Sequence, residues 1–520
     1  MAQSSGPGGD DVFESLIKNE QGSIERRAAS EGTHIRESDS EQRTAHLLLQ
    51  NLTLPVTLSS VQIHGAKNTR KSFLNPLFQP LVEGSRNANY TLQQLMDELG
   101  HAVLQLQRFD IFQPNIVLSF SRPPHVDPSM PVTDLEASIR VRERSRLVLQ
   151  TGTDVGNTEG SAYATMLCRN VFGGAEVLSV NASTGTRTRS AYSAEFATPI
   201  NSNPALKFSI DGLASSTHKP WASHEEVLKG GGLKLTWAKE NGDRYQLGYS
   251  GIWRQLTGLS ATASPTIRGD AGDSVKSAIS YLFQRERRDN PLLPQRGYMI
   301  KSSTELAGWG LLGGDVGFSK SEIEVTGAVP ISIPGLKGPS GVSIGCGLRA
   351  GLLYPLPLSF GLNGASPSRL NDRFTLGGPT DVRGFSLGGL GPRDGADALG
   401  GDVFVASSVN MLIPFPRTAP DSPFRIQLFA NGGRSVAMKH RGKNHGNASG
   451  QRMTAASVLD GMLSAAKEAS TGLPSISAGV GLVYTHSIAR FELNFSLPLV
   501  TRMGEESRKG LQVGVGINFL

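Results

Sequence analysis

Short segments that alternate apolar and polar residues recur from about Leu147 to the end of the chain. A period of two puts the apolar side chains on one face of a β-strand and the polar side chains on the other. Gly, Pro, Asn and Asp separate the segments, and these residues favour turns. The clearest apolar faces are Leu206, Phe208 and Ile210; Leu233, Leu235 and Trp237; Phe491, Leu493 and Phe495; and Val513, Val515 and Ile517. We count about sixteen segments, inside the range of about 8 to 26 strands that membrane barrels use.

The polar face of these segments distinguishes a membrane barrel from a soluble β-sandwich. The water-facing side of a sandwich is rich in charges, whereas this face consists mainly of Gly, Ser, Thr and Asn. Only 18% of the residues are charged, and glycine accounts for 61 of 520. Backbone groups in hydrocarbon must all be paired, so such a sheet has to close. The pattern therefore predicts a transmembrane antiparallel β-barrel over 147–520, with lipid outside and a wet lumen inside.

A different pattern precedes the barrel. Residues 46–146 predict a small α/β domain with strands and helices in the order β-α-α-β-β. Thr91 and Gln94 have the spacing of a capping box, and apolar residues follow them at helical spacing. Residues 1–45 are polar and unpatterned, which predicts a disordered tail.

Composition and charge exclude several classes of protein and site. No stretch approaches the roughly 18 uninterrupted apolar residues of a transmembrane helix. The two cysteines, Cys168 and Cys346, are too few for a disulfide scaffold or a cysteine metal cluster, and we expect neither a metal nor a cofactor. The net charge of +6 is not gathered into a dense basic stripe, so we expect no nucleic-acid partner.

The N-terminal residues also lack the basic start and apolar core of a secretory signal. Bacterial barrels carry such a signal because they must cross an inner membrane. A barrel without one indicates an organelle of a eukaryotic cell. We expect the mitochondrial outer membrane first and the plastid envelope second.

The segment 352–401 is too long for an ordinary turn, and loops of this length are usually functional or disordered. Its centre contains Val382-Arg383-Gly384-Phe385. This motif resembles the Val-Arg-Gly-Phe loop of the BAM-like outer-membrane insertase superfamily, in which the loop folds back into the barrel. Two further segments support the resemblance: 170–174 is similar to the Asn-X-Phe-Gly turn of these barrels, and 477–481 is similar to their penultimate hairpin.

Within that superfamily, the chain resembles the core barrel subunit of the mitochondrial sorting and assembly machinery, with 46–146 as a single POTRA-like domain. The resemblance implies an integral protein of the mitochondrial outer membrane with its N-terminus in the intermembrane space. Its implied function is to insert β-barrel precursor proteins through a lateral gate between the first and last strands. The implied partners are those precursors, peripheral outer-membrane accessory subunits and membrane lipid. No covalent bond is made or broken in this function, so we do not expect an enzyme.

Arg383 is the residue of the motif that we expect to matter most for function. An unpaired charge inside a barrel is costly, so its guanidinium needs a carboxylate or several carbonyl groups. Strand parity places Glu492 and Asn494 on the lumen face, and both are candidate partners. We expect Arg383 to pin the loop and so to shape the lumen and the gate.

The strands beside the expected gate are about Leu147–Gly156 and 511–520. Glycine in a strand interior is unfavourable, so Gly152 and Gly156 would weaken pairing in the first of them. The last strand resembles the mitochondrial β-signal, whose polar residue, glycine and two hydrophobic residues fall on Gln512, Gly514, Ile517 and Phe519. We expect this segment to direct the chain's own insertion.

Two other functions stay open at this point. A metabolite or protein-conducting pore of an organelle outer envelope would use the same barrel, although a metabolite pore needs neither the N-terminal domain nor the long loop. A soluble β-rich enzyme is disfavoured, because the G-x-S-x-G match at 341–345 lies in an alternating segment and that motif needs a strand-to-helix turn. Residues 434–474 predict a solvated hairpin insertion with a helix near 453–468.

Overall fold

The computed structural model describes residues 50–87, 90–121, 133–156, 159–332, 340–358, 364–419, 422–438, 453–486 and 489–516. These residues form two compact units. One combines the described parts of Met1–Lys67 and Leu74–Glu143, and the other combines Asn68–Phe73 with the described parts of Arg144–Leu520. The disordered tail predicted at 1–45 lies outside the described residues.

The N-terminal elements form a small mixed sheet with two helices. They are β1 (Pro55–His64), α1 (Lys71–Asn87), β2 (Tyr90–Thr91), α2 (Leu92–Arg108), β3 (Val117–Ser121) and β4 (Thr133–Arg140). The strand order is β2-β1-β4-β3, and β1 runs parallel to β4. Both hydrogen bonds of the capping box are present, since the Gln94 amide donates to the Thr91 hydroxyl and the Thr91 amide donates to the Gln94 side chain. The predicted POTRA-like element order is confirmed, with β2 as a short additional strand.

Sixteen strands form the barrel sheet, each antiparallel to its neighbours, in the order in which they follow along the chain. They are β5 (Leu147–Gly156), β6 (Glu159–Arg169), β7 (Val177–Gly185), β8 (Thr188–Ile200), β9 (Asn203–Lys219), β10 (His224–Ala238), β11 (Arg244–Thr257), β12 (Gly272–Glu286), β13 (Gly297–Ala307), β14 (Phe318–Pro330), β15 (Ser343–Pro355), β18 (Val403–Pro414), β19 (Phe424–Val436), β20 (Ser475–Thr485), β21 (Arg490–Val500) and β22 (Gly510–Gly516). The predicted barrel and its strand number are confirmed.

Three shorter features lie in the connections between barrel strands. A small ribbon, β16 (Arg393–Asp394) and β17 (Asp397–Ala398), belongs to the long connection between β15 and β18. The helices are α3 (Pro265–Asp270) and α4 (Ala455–Thr471). None of the helices in the described part of the chain has both the length and the apolar character needed to span a bilayer.

The barrel wall has an apolar outer face and a polar inner face, the reverse of a soluble sheet. On β21, Phe491 and Leu493 are 42% and 43% exposed, whereas Glu492 and Asn494 are 1% and 0% exposed. In a membrane the exposed apolar residues contact lipid, and the buried polar residues face the lumen. The alternation along each strand therefore sorts side chains between these two environments.

The two ends of the sheet order are β5 and β22, and we call the junction between them the seam. Within the described ranges, no ladder pair joins β5 to β22. β5 has 10 residues, and β22 has 7 within the described range, which ends at Gly516. The seam therefore differs from every other junction of the described sheet, where a ladder is present.

The helix α4, within the predicted insertion 434–474, is packed against the barrel and is not solvated on all sides as the sequence predicted. One face of α4 is buried, at Val458, Met462, Ala465 and Ala469. This face packs with Val403, Val436 and Ala365, at the barrel rim and in the long loop. The helix is held there because its apolar residues recur three or four positions apart and form one stripe.

Candidate functional site: the lumen loop and the seam strands

The long connection between β15 and β18, residues 356–402, is called here the lumen loop. Isolated bridges close it on itself, between Phe374 and Gly401 and between Leu376 and Leu390. Its apolar side chains join inward-facing wall residues in one buried cluster of Ala278, Ala307, Val316, Phe318, Leu353, Phe374, Leu376, Val382, Phe385, Leu390, Phe404 and Ala406. The loop therefore supplies apolar partners for this part of the inner wall, which the polar inner face of the predicted barrel did not indicate.

Arg383 is fully buried inside the barrel. Its Nε donates to Glu492 Oε2 at 3.0 Å, and its Nη2 donates to Glu492 Oε1 at 3.3 Å. The guanidinium also lies over the ring of Phe429, 5.1 Å from the centroid. This two-pronged ion pair fixes both the position and the orientation of the guanidinium plane. Of the two candidate partners, Glu492 holds the guanidinium.

Glu492 has two further polar neighbours on β21. Arg490 Nη2 lies 2.6 Å from Glu492 Oε1, and Asn494 Nδ2 donates to Glu492 Oε2 at 2.7 Å. Asn494 therefore supports the carboxylate that pairs with Arg383. Sequence reasoning missed Arg490, although it shares the strand parity that identified Glu492 and Asn494 and so points to the lumen as they do.

The backbone around Arg383 is hydrogen-bonded to three of the last strands of the barrel, β19, β20 and β22. We call β19 to β22 the late strands. The Arg383 carbonyl accepts from the Ser477 hydroxyl on β20. The amide of Asn431 on β19, with its oxygen facing the Arg383 N–H, accepts from that group at 2.8 Å. Gln512 on β22 accepts from the Gly384 N–H at 2.9 Å and donates to the Phe385 carbonyl at 3.4 Å. The motif thus contacts β22, one of the two seam strands, directly.

Gly384 is required at its position for two reasons. Its φ is +84°, a region that side-chain-bearing residues rarely adopt. A Cβ at this position would stand 2.7 Å from the Cβ of Ser477. The loop can approach β20 this closely only because residue 384 has no side chain.

The hairpin between β21 and β22, residues 501–509, meets the lumen loop at the same rim. This follows from topology, since the loop and the hairpin both come after odd-numbered strands of the barrel. Phe385 bridges Ser507, the Arg508 N–H donates to the Gly384 carbonyl at 2.8 Å, and the Ser386 N–H donates to the Glu506 carbonyl at 3.1 Å. The motif is therefore bound by side chains of the barrel wall and by the backbone of the β21–β22 hairpin.

Four of the predicted β-signal and gate residues lie in the described seam strands: Gln512 and Gly514 in β22, and Gly152 and Gly156 in β5. Gly514 faces Glu492 across the β21–β22 ladder, two residues beyond Gln512. Ile517 and Phe519 lie outside the described residues. In β5, Gly152 pairs with Tyr163 and Gly156 with Glu159. The phenol of Tyr163 occupies the space that a Cβ at position 152 would need, so Gly152 accommodates a ring on β6. That Gly152 weakens the gate stays a prediction.

The turn at 170–174 is closed by its own polar groups. Glu176 accepts from the N–H groups of Phe172 and Gly174, at 3.0 and 2.9 Å, and from Arg70 Nη2 at 2.7 Å. Burial alone would raise the pKa of the Glu176 carboxyl, but these hydrogen bonds and the charge of Arg70 hold that pKa below its ordinary value. The turn therefore keeps an ionised carboxylate at its centre.

The serine of the discounted G-x-S-x-G match has a structural contact. Ser343 starts β15, is buried, and donates to the carbonyl of Pro294 at 3.3 Å. In the described ranges, no cluster of three or more His, Cys, Asp or Glu side chains has the arrangement of a metal site.

Comparisons with known proteins agree with this geometry. Residues 170–519 match the model of the Omp85 superfamily domain. A SAM50-like protein of Schizosaccharomyces pombe is 37% identical over 499 residues, covering 95% of this chain and 97% of that protein. The sorting and assembly machinery component 50 homolog of Mus musculus is 31% identical over 400 residues, covering 76% of this chain and 77% of that protein.

Among solved structures, BamA of Haemophilus ducreyi lacking POTRA domains 1–3 superposes with a TM-score of 0.66. The alignment covers 89% of this chain and 84% of that one, at 15% identity, so it shows a shared fold. The fold, the family model and the full-length relatives lead to one assignment: this chain belongs to the Omp85 superfamily and, within it, to the SAM50-like proteins.

Proposed function

We propose that this protein inserts β-barrel precursor proteins into the mitochondrial outer membrane, through a lateral gate at the seam between β5 and β22. The observation that carries the proposal is the contrast at the seam. The strands there share no described ladder pair, and the lumen loop binds one of them through Gln512. The relatives that carry the name of the sorting and assembly machinery support the same function.

The physical task of such an insertase is to satisfy backbone hydrogen bonds in lipid. Each unpaired N–H or C=O group of a precursor costs several kcal/mol in hydrocarbon. A seam strand offers a row of donors and acceptors on which the incoming strand pairs, which is strand addition to an open sheet edge. The free energy comes from the folding of the precursor, so the protein acts without covalent chemistry.

The seam and the lumen loop have different roles in this proposal. The loop occupies part of the lumen with the buried apolar cluster, which favours lateral exit over passage through the barrel. The N-terminus lies in the intermembrane space, from which precursors arrive. Peripheral outer-membrane subunits of a sorting and assembly complex and membrane lipid are the other partners.

Depletion of the protein tests this function. Radiolabelled porin precursor is imported into mitochondria from depleted cells, and its assembly is followed by native electrophoresis beside a matrix-targeted precursor as control. We expect porin to cross the outer membrane and remain unassembled, while the matrix precursor is imported normally. Normal porin assembly in depleted mitochondria would overturn the proposal.

A further inference from the structure

The lumen loop has a buried ion pair far from its Arg383 motif. Asp372 of the loop faces Arg254 on β11, and both side chains are 3% exposed. Asp372 accepts from both terminal nitrogens of the guanidinium: Oδ1 accepts from Nη1, and Oδ2 accepts from Nη2 at 3.2 Å. A fork-to-fork pair of this kind fixes direction as well as distance. It ties the loop to the seventh strand of the barrel, across the lumen from the seam.

A lysine from another wall strand binds the same point of the loop. Lys320 on β14 donates to the Asp372 carbonyl at 2.8 Å, and its Nζ lies 4.4 Å from the centroid of the Phe374 ring. Phe374 is in turn bridged to Gly401 by two N–H···O bonds of 2.9 Å. We call Arg254, Lys320 and Asp372 together the Asp372 anchor.

Between this anchor and the motif, the loop crosses the lumen from strand to strand. Asp381 pairs with Arg349 on β15 at 2.9 Å, two residues before Arg383 pairs with Glu492 on β21. The next residue, Gly384, binds Gln512 on β22. The loop is thus fastened in sequence to β11, β15, β21 and β22.

The two ends of this path differ in how firmly their strands are held. β11 is paired along its length with β10 and β12. β22 has a described ladder on one side only, with β21. The loop is bound to the firmly paired strand β11 at one end and to β22 at the other. The contacts of the loop with β11 therefore help to set the position of β22.

We propose that the Asp372 anchor positions the lumen loop, so that Arg383, Gly384 and Phe385 reach their partners and hold β22 at the gate. Arg254, Lys320 and Asp372 are positioning residues in this account, since they act on the gate through the loop. The proposal rests on the proposed function for its consequence in precursor insertion, and on the loop contacts alone for its structural part.

The structural part is tested by the access of a thiol reagent to the wall beneath the loop. In a parent lacking Cys168 and Cys346, Ala406→Cys places a thiol in the buried cluster under Val382 and Leu376. Asp372→Asn removes the charge of the carboxylate at nearly unchanged volume, Arg254→Gln removes the guanidinium, and the double variant leaves no unpaired charge at this buried position. Ser343→Cys, at a buried position on β15 beside Pro294, is the control thiol that the anchor does not cover.

We expect either single variant to raise the alkylation rate of the thiol at position 406 by at least about tenfold, and the double variant to return it to within about threefold of the parent. The control thiol at position 343 should react equally in all of them. A matched control is Asp211→Asn, which breaks the Lys234–Asp211 pair of the same wall without touching the loop. Unchanged alkylation at position 406 in both single variants, or a double variant no slower than the singles, would overturn the anchor.

The functional part is tested by measuring the rate of porin assembly in the same mitochondria. We expect the single variants to assemble porin at least about fivefold more slowly and the double variant to recover with the alkylation rate. If a single variant fails to integrate, Lys320→Met replaces it, because the methionine stem still covers Phe374 but donates no hydrogen bond. Displacement of the loop with normal porin assembly would overturn the role of the anchor at the gate. Failure of the parent itself to assemble porin would instead contradict the proposed function, and the alkylation result would still decide the anchor.

Discussion

The wall far from the seam and the strands beside it satisfy their inward-facing polar groups in different ways. On the far wall, pairs such as Lys234 with Asp211 and Lys276 with Glu305 join neighbouring strands, and the loop binds a strand of this wall at the Asp372 anchor. On the late strands, the inward-facing groups Ser477, Glu492 and Gln512 bind the lumen loop.

This difference indicates where the barrel depends on its loop. A wall whose polar groups pair among themselves keeps those pairs when the loop moves. The late strands would instead lose the loop partners of buried donors and acceptors, and the loss of such a partner is costly. Substitutions that break loop contacts should therefore act on the late strands and the seam, whereas substitutions that break a strand-to-strand pair of the far wall, such as Lys234 with Asp211, should have little effect.

The largest effect is expected from Glu492→Ala. It leaves Arg383 and Arg490 buried without their carboxylate, and breaking a buried pair in this way costs about 3–5 kcal/mol. Porin assembly, measured by native electrophoresis at equal amounts of integrated variant, should fall by at least about tenfold. Leu493→Ala, the outward-facing neighbour, is the control and should assemble porin normally. Equal assembly by the two variants would contradict the role of the ion pair.

Gly384→Ala is expected to have the second-largest effect on porin assembly. The φ of +84° and the approach of the new methyl to Ser477 both oppose it, and strain of this kind costs about 1–3 kcal/mol. Gly395→Ala separates the two causes, because Gly395 also has a positive φ, +60°, but a Cβ there meets nothing within 4 Å. We expect the loss of porin assembly to be clearly greater for position 384. Equal losses would show that the contact with Ser477 does not matter.

Gln512→Leu should have an intermediate effect. It removes the side chain that binds the Gly384 N–H and the Phe385 carbonyl, and a buried group left unsatisfied costs about 1–3 kcal/mol. Val513→Ala on the outer face of β22 is the control. The variant should integrate yet assemble porin more slowly than the control, and assembly as fast as in the control would remove Gln512 from the mechanism.

The smallest effect is expected from Glu506→Ala. Its carboxylate pairs with Arg393 at 3.0 Å, but the Glu506 side chain is 52% exposed, and exposed pairs contribute about 0–1 kcal/mol. The hairpin backbone still binds the Ser386 and Gly389 regions of the loop. Porin assembly within about twofold of the wild type is expected. A loss as large as that of Glu492→Ala would mean that the rim, and not the lumen, holds the motif.

The sequence predicted the barrel well because a period of two carries two kinds of information at once. It marks each strand, and it assigns each side chain to lipid or to lumen, as it did for Glu492 and Asn494 on β21. The same parity was available for Arg490 and Arg254, but parity does not tell which distant residue a lumen charge meets. The pairing of Asp372 with Arg254 depends on the path of a loop that has no period.

The remaining differences arise where tertiary packing decides. The apolar cluster in the lumen was not predicted, because inward-facing residues such as Ala278 and Phe318 belong to strands whose inner face is mostly small or polar. The buried face of α4 was visible as a stripe at Val458, Met462 and Ala465, but its partners lie in β18 and β19. Gly152 resembles a weak point when read alone, and the structure shows Tyr163 packed against it.

Site-specific crosslinking at the seam tests the central claim most directly. Single cysteines are placed at 148–155 of β5 and at 511–516 of β22, in a background without Cys168 and Cys346, with Leu233→Cys on the outer face of β10 as control. A radiolabelled porin precursor with a cysteine in its last strand is then imported. The account predicts adducts to β5 or β22 and none to position 233. Normal porin assembly without adducts to either seam strand would contradict insertion through the seam.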